Sequence, residues 1–422
     1  MKVGVLKYHS LLLVLSVLLL PGVGLSQETA KQDTGKVPLS YHKPDEAIMP
    51  DSARSKRETS LTDIGDDRGL YILAPKQKMQ LRILGSVRFS ALFDDVELPS
   101  KNTFNTFEIP SGAKNIKNTN YYNTLSLSRL GFEVTRKTKV GDIFIRLETD
   151  FAGPNNTFRI RHAYGEINHL LFGQTYSLFS NVAAMPATVD INGPTGSVSL
   201  RTPQIRYTGN LTSKAKGYLA LEYSLPDLAY VDSVNISSVQ KLPDLTGRID
   251  YKVKWGIFQL SGIATVISMK DSTDVTNSMG VGGSVSGKFF LSPDDALLWQ
   301  GTCGRAISHY ISIFDGKEQD MIYNPGTRKY QALFSVGGFL SYQREWLPTL
   351  STFVSFGIAA IANKNYQPDE AFNHSYSASI DVFWEAIEGA RLGFEYVLGS
   401  RIDKGGSTGY ANRIWFLVYY DF

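Results

Sequence analysis

The sequence predicts an all-β fold: a transmembrane antiparallel β-barrel of sixteen strands behind a flexible N-terminal segment. Three observations predict it. The chain opens with an export signal, Lys2 and Lys7 followed by the apolar run Leu11 to Leu20 and small residues at Gly22, Gly24 and Ser26. From residue 80 onward, short segments alternate apolar and polar side chains with a period of two, which is the periodicity of a strand with two different faces. The chain closes on one such segment: Phe416, Val418, Tyr420 and Phe422 share one parity, and Arg413, Trp415, Leu417, Tyr419 and Asp421 the other, so the last residue is an outward aromatic of the kind read at the terminus by barrel-assembly machinery.

The apolar run of the signal is too short to cross a bilayer as a helix, which takes about 20 residues, and cleavage is expected after Ser26. Gln27 then leads the mature chain, so a lipidated cysteine is not expected there. Residues 27–79 form a periplasmic segment: 27 to about 70 are polar, carry Pro38, Pro44 and Pro50 and show no apolar period, and 71–79 lead into the first strand. The single cysteine, Cys303, excludes an internal disulfide, so stability in an oxidising compartment must come from elsewhere, as from a closed ladder of backbone hydrogen bonds. A net charge of +3 gives no clustered basic excess for nucleic acid. With 12% aromatic and 20% charged residues and 37 glycines, the composition suits interfacial girdles, a wet lumen and curved strands.

The barrel spans 80–422. The first strand covers 80–94, with Leu81, Ile83, Val87 and Phe89 outward and Arg82, Ser86 and Arg88 inward. The second covers 121–136, with a slip of phase near Arg129 that reads as a bulge. The third, 141–151, sets Ile143, Ile145, Leu147 and Phe151 against Asp142, Arg146, Glu148 and Asp150. The fourth, 158–167, sets Phe158, Ile160 and Tyr164 against Arg159 and Arg161, with His162 outward. Then follow 169–176, 202–209, 216–224, 245–253, 255–268, 278–290, 295–303, 330–344, 350–362, 374–385, 389–400 and 410–422. Links after even strands are short, as at Lys139–Val140, Asn168 and Lys254. Those after odd strands are longer, notably 95–120, 177–201, 225–244 and 304–329. Short turns alternating with long loops is the outer-membrane pattern and places both ends of an even-stranded barrel in the periplasm. Sixteen is the best count, with fourteen or eighteen reachable by moving boundaries. The competing reading is a soluble β-sandwich, whose strands also alternate. The signal, the terminal aromatic parity and the regular short–long spacing favour the membrane.

The stretch 158–208 contains FRIRHAYGEI (158–167), LLFGQTYSLF (170–179) and NGPTGSVSLRTPQIRYT (192–208). These segments resemble the DcaP-like trimeric porins of Gram-negative outer membranes, in which paired arginines lead to a GQTWS-like strand, an NGP-containing loop and an RQPQIRY-like strand. Here Tyr176 stands for the usual Trp and Thr202 for the Gln. The resemblance implies a 16-stranded barrel, a homotrimer and a preference for small anionic solutes, including dicarboxylates. It also implies an N-terminal coiled coil in some members, for which residues 27–70 show no heptads.

A pore acts through its lining, by charge rings and a constriction. Arg146, Arg159, Arg161 and Arg206 share inward parities, Arg201 ends the long third loop, and these five are expected to converge on one wall at mid-barrel, with Arg82 and Arg88 extending the track. Arginine keeps its charge and binds carboxylate through two hydrogen bonds, so it replaces an anion's lost hydration. An alternative is that Arg159 and Arg161 pair with Glu148 and Asp150 and brace the wall. Both roles are compatible. Loop 177–201, with Met185, Pro186, Asp190, Asn192, Gly193, Pro194 and Gly196, is the candidate constriction loop; an ordinary surface loop is the alternative. His162 and Tyr164, read as outward, would face a neighbouring subunit at less cost than lipid.

GGSVSGK (282–288) approaches a phosphate-binding loop, but Phe289 stands where Ser or Thr is needed and no helical period follows. The histidines at 9, 42, 162, 169, 309 and 374 show no metal-ligand spacing. No cofactor, metal or catalytic residue is expected. The function expected is passive diffusion of small hydrophilic, anionic, carboxylate-type solutes through the outer membrane, with outer-membrane lipid and lipopolysaccharide as surroundings. A lipase-like barrel enzyme, which needs a serine beside a histidine, and a closed structural or adhesive barrel are the alternatives.

Overall fold

A computed structural model describes residues 68–229, 237–270 and 275–422. The signal, residues 27–67 and their expected roles lie outside the described residues. Sixteen antiparallel strands close on themselves. They are β1 (Met79–Val96), β2 in two pieces (Lys117–Thr124 and Arg129–Thr138), β3 (Gly141–Asp150), β4 (Arg159–Ile167), β5 (Leu170–Tyr176), β6 (Arg201–Asn210), β7 (Ala215–Glu222), β8 (Asp244–Val253), β9 (Gly256–Lys270), β10 (Val275–Phe290), β11 (Asp295–Arg305), β12 (Phe334–Leu347), β13 (Leu350–Ala362), β14 (Phe372–Ile387), β15 (Ala390–Asp403) and β16 (Thr408–Asp421). Each pairs with its neighbours in sequence, and β16 returns to β1 from Ser86↔Asp421 to Asp94↔Arg413. Closure leaves the sixteen barrel strands no free edge, so each has a neighbour on both sides for its backbone groups. Among the described residues the helical pieces are single 3₁₀ turns.

Alternation carries over directly to the two faces. On β1, Val87 is 57% exposed while Arg88 is 3% exposed, because the exposed parity surrounds the barrel and the buried parity packs inside it. Phe416, Val418, Tyr420 and Phe422 all fall on the outer face, as expected. Phe422 exchanges both backbone hydrogen bonds with Gly85, each 2.9 Å. The outermost residue of the chain is therefore locked into the seam.

The structure differs from the sequence reading in four places. The expected slip in the second strand is a break at residues 125–128, with the upper piece on Ser90–Val96 of β1 and the lower on Met79–Ser86. The expected twelfth strand, 330–344, is divided: Lys329–Ala332 pairs with Met321–Asn324 in a separate hairpin, and β12 begins at Phe334. Leu70–Ala74, inside the expected N-terminal segment, pairs with Met79–Ile83 of β1 just beyond the C-terminus. The fourth difference bears on function. Glu148 pairs with His162 but Thr149 pairs with Ile160, so Arg161 is an extra residue in β4. This bulge reverses the phase after Arg161. His162 is 4% exposed and bonded to Thr175 Oγ1 at 3.0 Å, and Tyr164 pairs with Arg146 on the inner parity. Neither lies on the outer face as expected; both face the interior.

Candidate functional site: an arginine-walled cavity

After β5 the chain turns into the barrel rather than rising above it. Loop 177–200 crosses the interior and is tied to inward side chains around most of the wall. Leu178 N–H donates to Glu222 of β7 (2.9 Å), and Gln259 of β9 donates to the carbonyls of Leu178 and Ser180 (3.4 and 3.3 Å). Asn181 Nδ2 donates to Ser286 of β10 (2.9 Å), Val198 N–H to Gln300 of β11 (3.3 Å), and Thr195 N–H to Ser377 of β14 (3.2 Å). The Asn192–Gly196 turn comes closest. Gly196 has φ +84°, and a Cβ there would sit 2.0 Å from the Ile358 carbonyl oxygen, while one on Gly357 would sit 2.2 Å from that of Thr195. Only glycine on both sides allows backbone to meet backbone at this distance.

Apolar residues of the loop close the far side. Phe179 and Val198 pack with Ile307, Tyr310, Ile311 and Phe314 of the loop between β11 and β12. That loop is held by Asp320, which accepts from Ser308 Oγ (2.6 Å) and from the backbone of Asp227 (2.7 Å) and pairs with His309 Nδ1 (2.6 Å). Burial opposes charge on His309, but Asp320 outweighs it and raises the imidazole's pKa.

Between loop 177–200 and the β1–β6 wall lies a cavity of about 370 Å³. Its lining includes Arg88, Arg129, Arg159, Arg161 and Arg201 on one side and Met185, Thr188, Asp190, Ile191 and Asn192 on the other, with Asp315 from the loop after β11. The three expected loop residues Met185, Asp190 and Asn192 therefore face the same cavity as four of the seven expected arginines, Arg88, Arg159, Arg161 and Arg201. The remaining ones, Arg82, Arg146 and Arg206, point inward but lie off the cavity. Arg129 was missed. Its place on the inner face follows from pairing with Ser86 and Asp150, and the break at 125–128 hid that parity.

The wall is a ladder of alternating charge. Arg82 pairs with Glu133 (2.9 Å), and Arg146 with Glu133 (3.6 Å) and Glu148 (2.5 Å). Arg161 joins Glu148 (2.7 Å) to Asp150 (3.2 Å), and Arg159 binds Asp150 through two nitrogens (3.0 and 2.7 Å). The bulge makes this possible, because it presents Arg161 and its two neighbouring inward positions to both acids of β3. The Arg159 side chain is 39% exposed, whereas the Arg161 side chain is 4% exposed. Above them Arg201 stacks on Tyr176, 4.1 Å from the ring centroid, and donates to its hydroxyl, while Arg206 donates to the Tyr176 carbonyl (2.5 Å). Asp190 does not aim a carboxylate across the cavity at this ladder. Its oxygens accept from the N–H groups of Phe104 (3.0 Å) and Asn192 (2.9 Å). Burial and then Glu395 push its carboxyl up to about 8.

Among the described residues no group of His, Cys, Asp or Glu could hold a metal ion. The glycine-rich run before Lys288 lies within strand β10, and Lys288 donates to Gln343 (2.9 Å).

A family profile described as DcaP outer membrane protein matches residues 61–422. The chain belongs to the DcaP outer membrane protein family. Members are outer-membrane proteins, so this DcaP-family barrel resides in the Gram-negative outer membrane. No curated protein sequence matches the chain. Solved structures agree on the fold. The outer membrane channel DcaP of Acinetobacter baumannii superposes with a TM-score of 0.70 at 21% identity, over 82% of this chain and 98% of that one. OmpF of Salmonella typhi does so with 0.55 at 11% identity, over 83% and 100%. A loop-deleted OmpT of Vibrio cholerae does so with 0.52 at 11% identity, over 82% and 100%. The family and the fold together make the chain an outer-membrane channel protein.

Proposed function

We propose that this DcaP-family chain is a diffusion porin that favours small anions of the carboxylate class, works as a homotrimer and performs no chemistry on its solutes. Loop 177–200 is the constriction loop in this reading, and the arginine ladder is the surface that passes the anion along. The observation that carries it is the composition of the narrow part: five guanidiniums against two aspartates, one of them Asp190 with its raised carboxyl pKa. Fixed positive charge beside a narrow aqueous space raises the local concentration of anions and repels cations. Bracing by Glu148 and Asp150 supports the same role, because a ladder held at both ends keeps its outer guanidinium in place. Arg159, bidentate to Asp150 yet the more exposed of the pair, is the side chain that offers N–H donors to a passing carboxylate. The homotrimer follows from the resemblance of the Phe158–Thr208 stretch to trimeric porins.

Planar-bilayer recording tests all parts. Openings in three equal steps are expected, with a reversal potential in asymmetric KCl of the sign for anion preference. Arg159→Ala is expected to lower the anion-to-cation permeability ratio more than Arg161→Ala. For a screened charge worth about 0.2–1 kcal/mol the drop is roughly 1.4- to 5-fold. An unchanged reversal potential in both variants would leave the arginines with bracing alone.

A further inference from the structure

Where the constriction loop meets β14 and β15, three acids come together. Asp381 of β14 and Glu395 of β15 are direct cross-strand partners. Like charges so placed repel, so two full negative charges side by side in this buried position are opposed. Both are fully buried. The third acid, Asp190, comes from the constriction loop. Its N–H donates to Glu395 (2.6 Å), and the N–H of Val189 donates to Asp381 (3.1 Å). The other groups around the cluster do not neutralise it. Arg413 of β16 lies nearby but is already bidentate to Asp94 of β1 (2.6 and 2.9 Å). Ser379 of β14 donates to Asp381 (3.0 Å), and the loop after β1 contributes only the Phe104 N–H. Ala187 and Val189 flank the cluster in an apolar patch with Leu92, Phe353, Phe383 and Trp415, which shields Asp381 and Glu395 from bulk water.

We propose that Asp190, Asp381 and Glu395 form a proton-loaded latch that positions residues 187–190 of the constriction loop against the wall. Asp381 and Glu395 are positioning residues: they act on the pore only through the loop they hold. A buried trio of carboxylates with one preoccupied arginine cannot carry three negative charges. Proton loss therefore turns a contact that holds the loop into one that repels it. The raised carboxyl of Asp190 sets the direction. Docked, it keeps its proton to about 8; undocked in water it loses it near the ordinary carboxyl value of 3.8. Docking is then strongest in acid, weakens as pH rises from about 4 to about 8, and changes no further above that. For one proton released on undocking, the undocked-to-docked ratio grows by up to about tenfold per pH unit in this window. The remaining ties at Leu178, Asn181, Thr195 and Val198 keep the rest of the loop in place, so the motion is confined to the segment beside the cavity.

The inference rests on loop 177–200 forming the constriction and is independent of the sign of ion selectivity. Single-channel recording of the full-length channel in symmetric salt tests it, from pH 4.5 to pH 9. Quiet openings are expected in acid, with flicker or sub-conductance events rising towards pH 8 and levelling off above it. Glu395→Gln keeps an acceptor and a neutral side chain and is expected to flatten the profile; Asp190→Asn is expected to do the same. A flat wild-type profile would overturn the latch even if no variant folds, and so would variants that retain the wild-type profile. Reversal potentials taken at a single pH report selectivity separately, so failure of the latch and failure of the anion reading are distinguishable.

Discussion

Glu148 is the residue on which the arginine wall depends most. It is fully buried, accepts from Arg161 at 2.7 Å and from Arg146 at 2.5 Å, and lies 3.9 Å from Arg129. Removing its charge leaves three guanidiniums without their common counter-ion in a site that water reaches poorly. Breaking a buried pair from one side typically costs about 3–5 kcal/mol, because the partner's charge stays behind. Glu148→Gln is therefore expected to lower the unfolding free energy of the barrel in detergent by that order, read from urea titration. Asp150→Asn should be milder, since the Arg159 side chain it holds is 39% exposed and water replaces the lost contact. These acids were legible in the sequence as the inward parity of β3, as were Arg146, Arg159 and Arg161, because within one strand the side of each residue follows from counting. How they divide between cavity and bracing was not legible. That depends on distances across three strands, which have no counterpart in the spacing of residues along one.

At the scale of elements, the bulge in β4 makes a sharp prediction. Ile160 pairs with Thr149 and His162 with Glu148, so Arg161 has no partner position of its own. Deleting Arg161 would leave a regular ladder with His162, Tyr164 and Glu166 still inward. Deleting Ala163 instead would shift Tyr164–Ile167 by one place and turn each to the opposite face. The first deletion is expected to give a folded, heat-modifiable species on gels and the second a strongly reduced yield of it. Equal outcomes would mean that the register in this wall is not specified by burial. The bulge also explains why the sequence misplaced His162 and Tyr164. Strict alternation carried past Arg161 assigns them outward, and a single extra residue reverses the assignment. Nothing in FRIRHAYGEI marks the insertion; it is visible only from β3, where the adjacent residues Glu148 and Thr149 hold partners two residues apart.

At the scale of the molecule, the outward parity forms a continuous apolar surface. Leu219, Ile249, Leu260, Leu340, Phe356 and Val418 are each between 45% and 57% exposed on different strands around the barrel. A patch this extensive has no stable arrangement in water. The purified chain is expected to stay monodisperse only in detergent or lipid and to precipitate when detergent is removed, as read by light scattering. The interior is the reverse: many inward side chains are polar or charged, bonded to one another and to the backbone of loop 177–200. The barrel thus supplies a closed cylinder, and loop 177–200 crosses its interior.

The sequence alone placed most of the strands, favoured a count of sixteen over fourteen or eighteen, and assigned the inward arginines and the outward terminal aromatics. Each of these follows from a period of two along the chain and from the contrast between lipid and an aqueous lumen, both local properties. Tertiary structure decided what depends on a second strand. It set the phase reversal at Arg161, the break before Arg129, the separate hairpin of Lys329–Ala332, and the path of the loop past Gly196 and Gly357 to the three acids. Pairing register and backbone approach are relations between segments far apart in the chain, so they become visible only once the cylinder has closed.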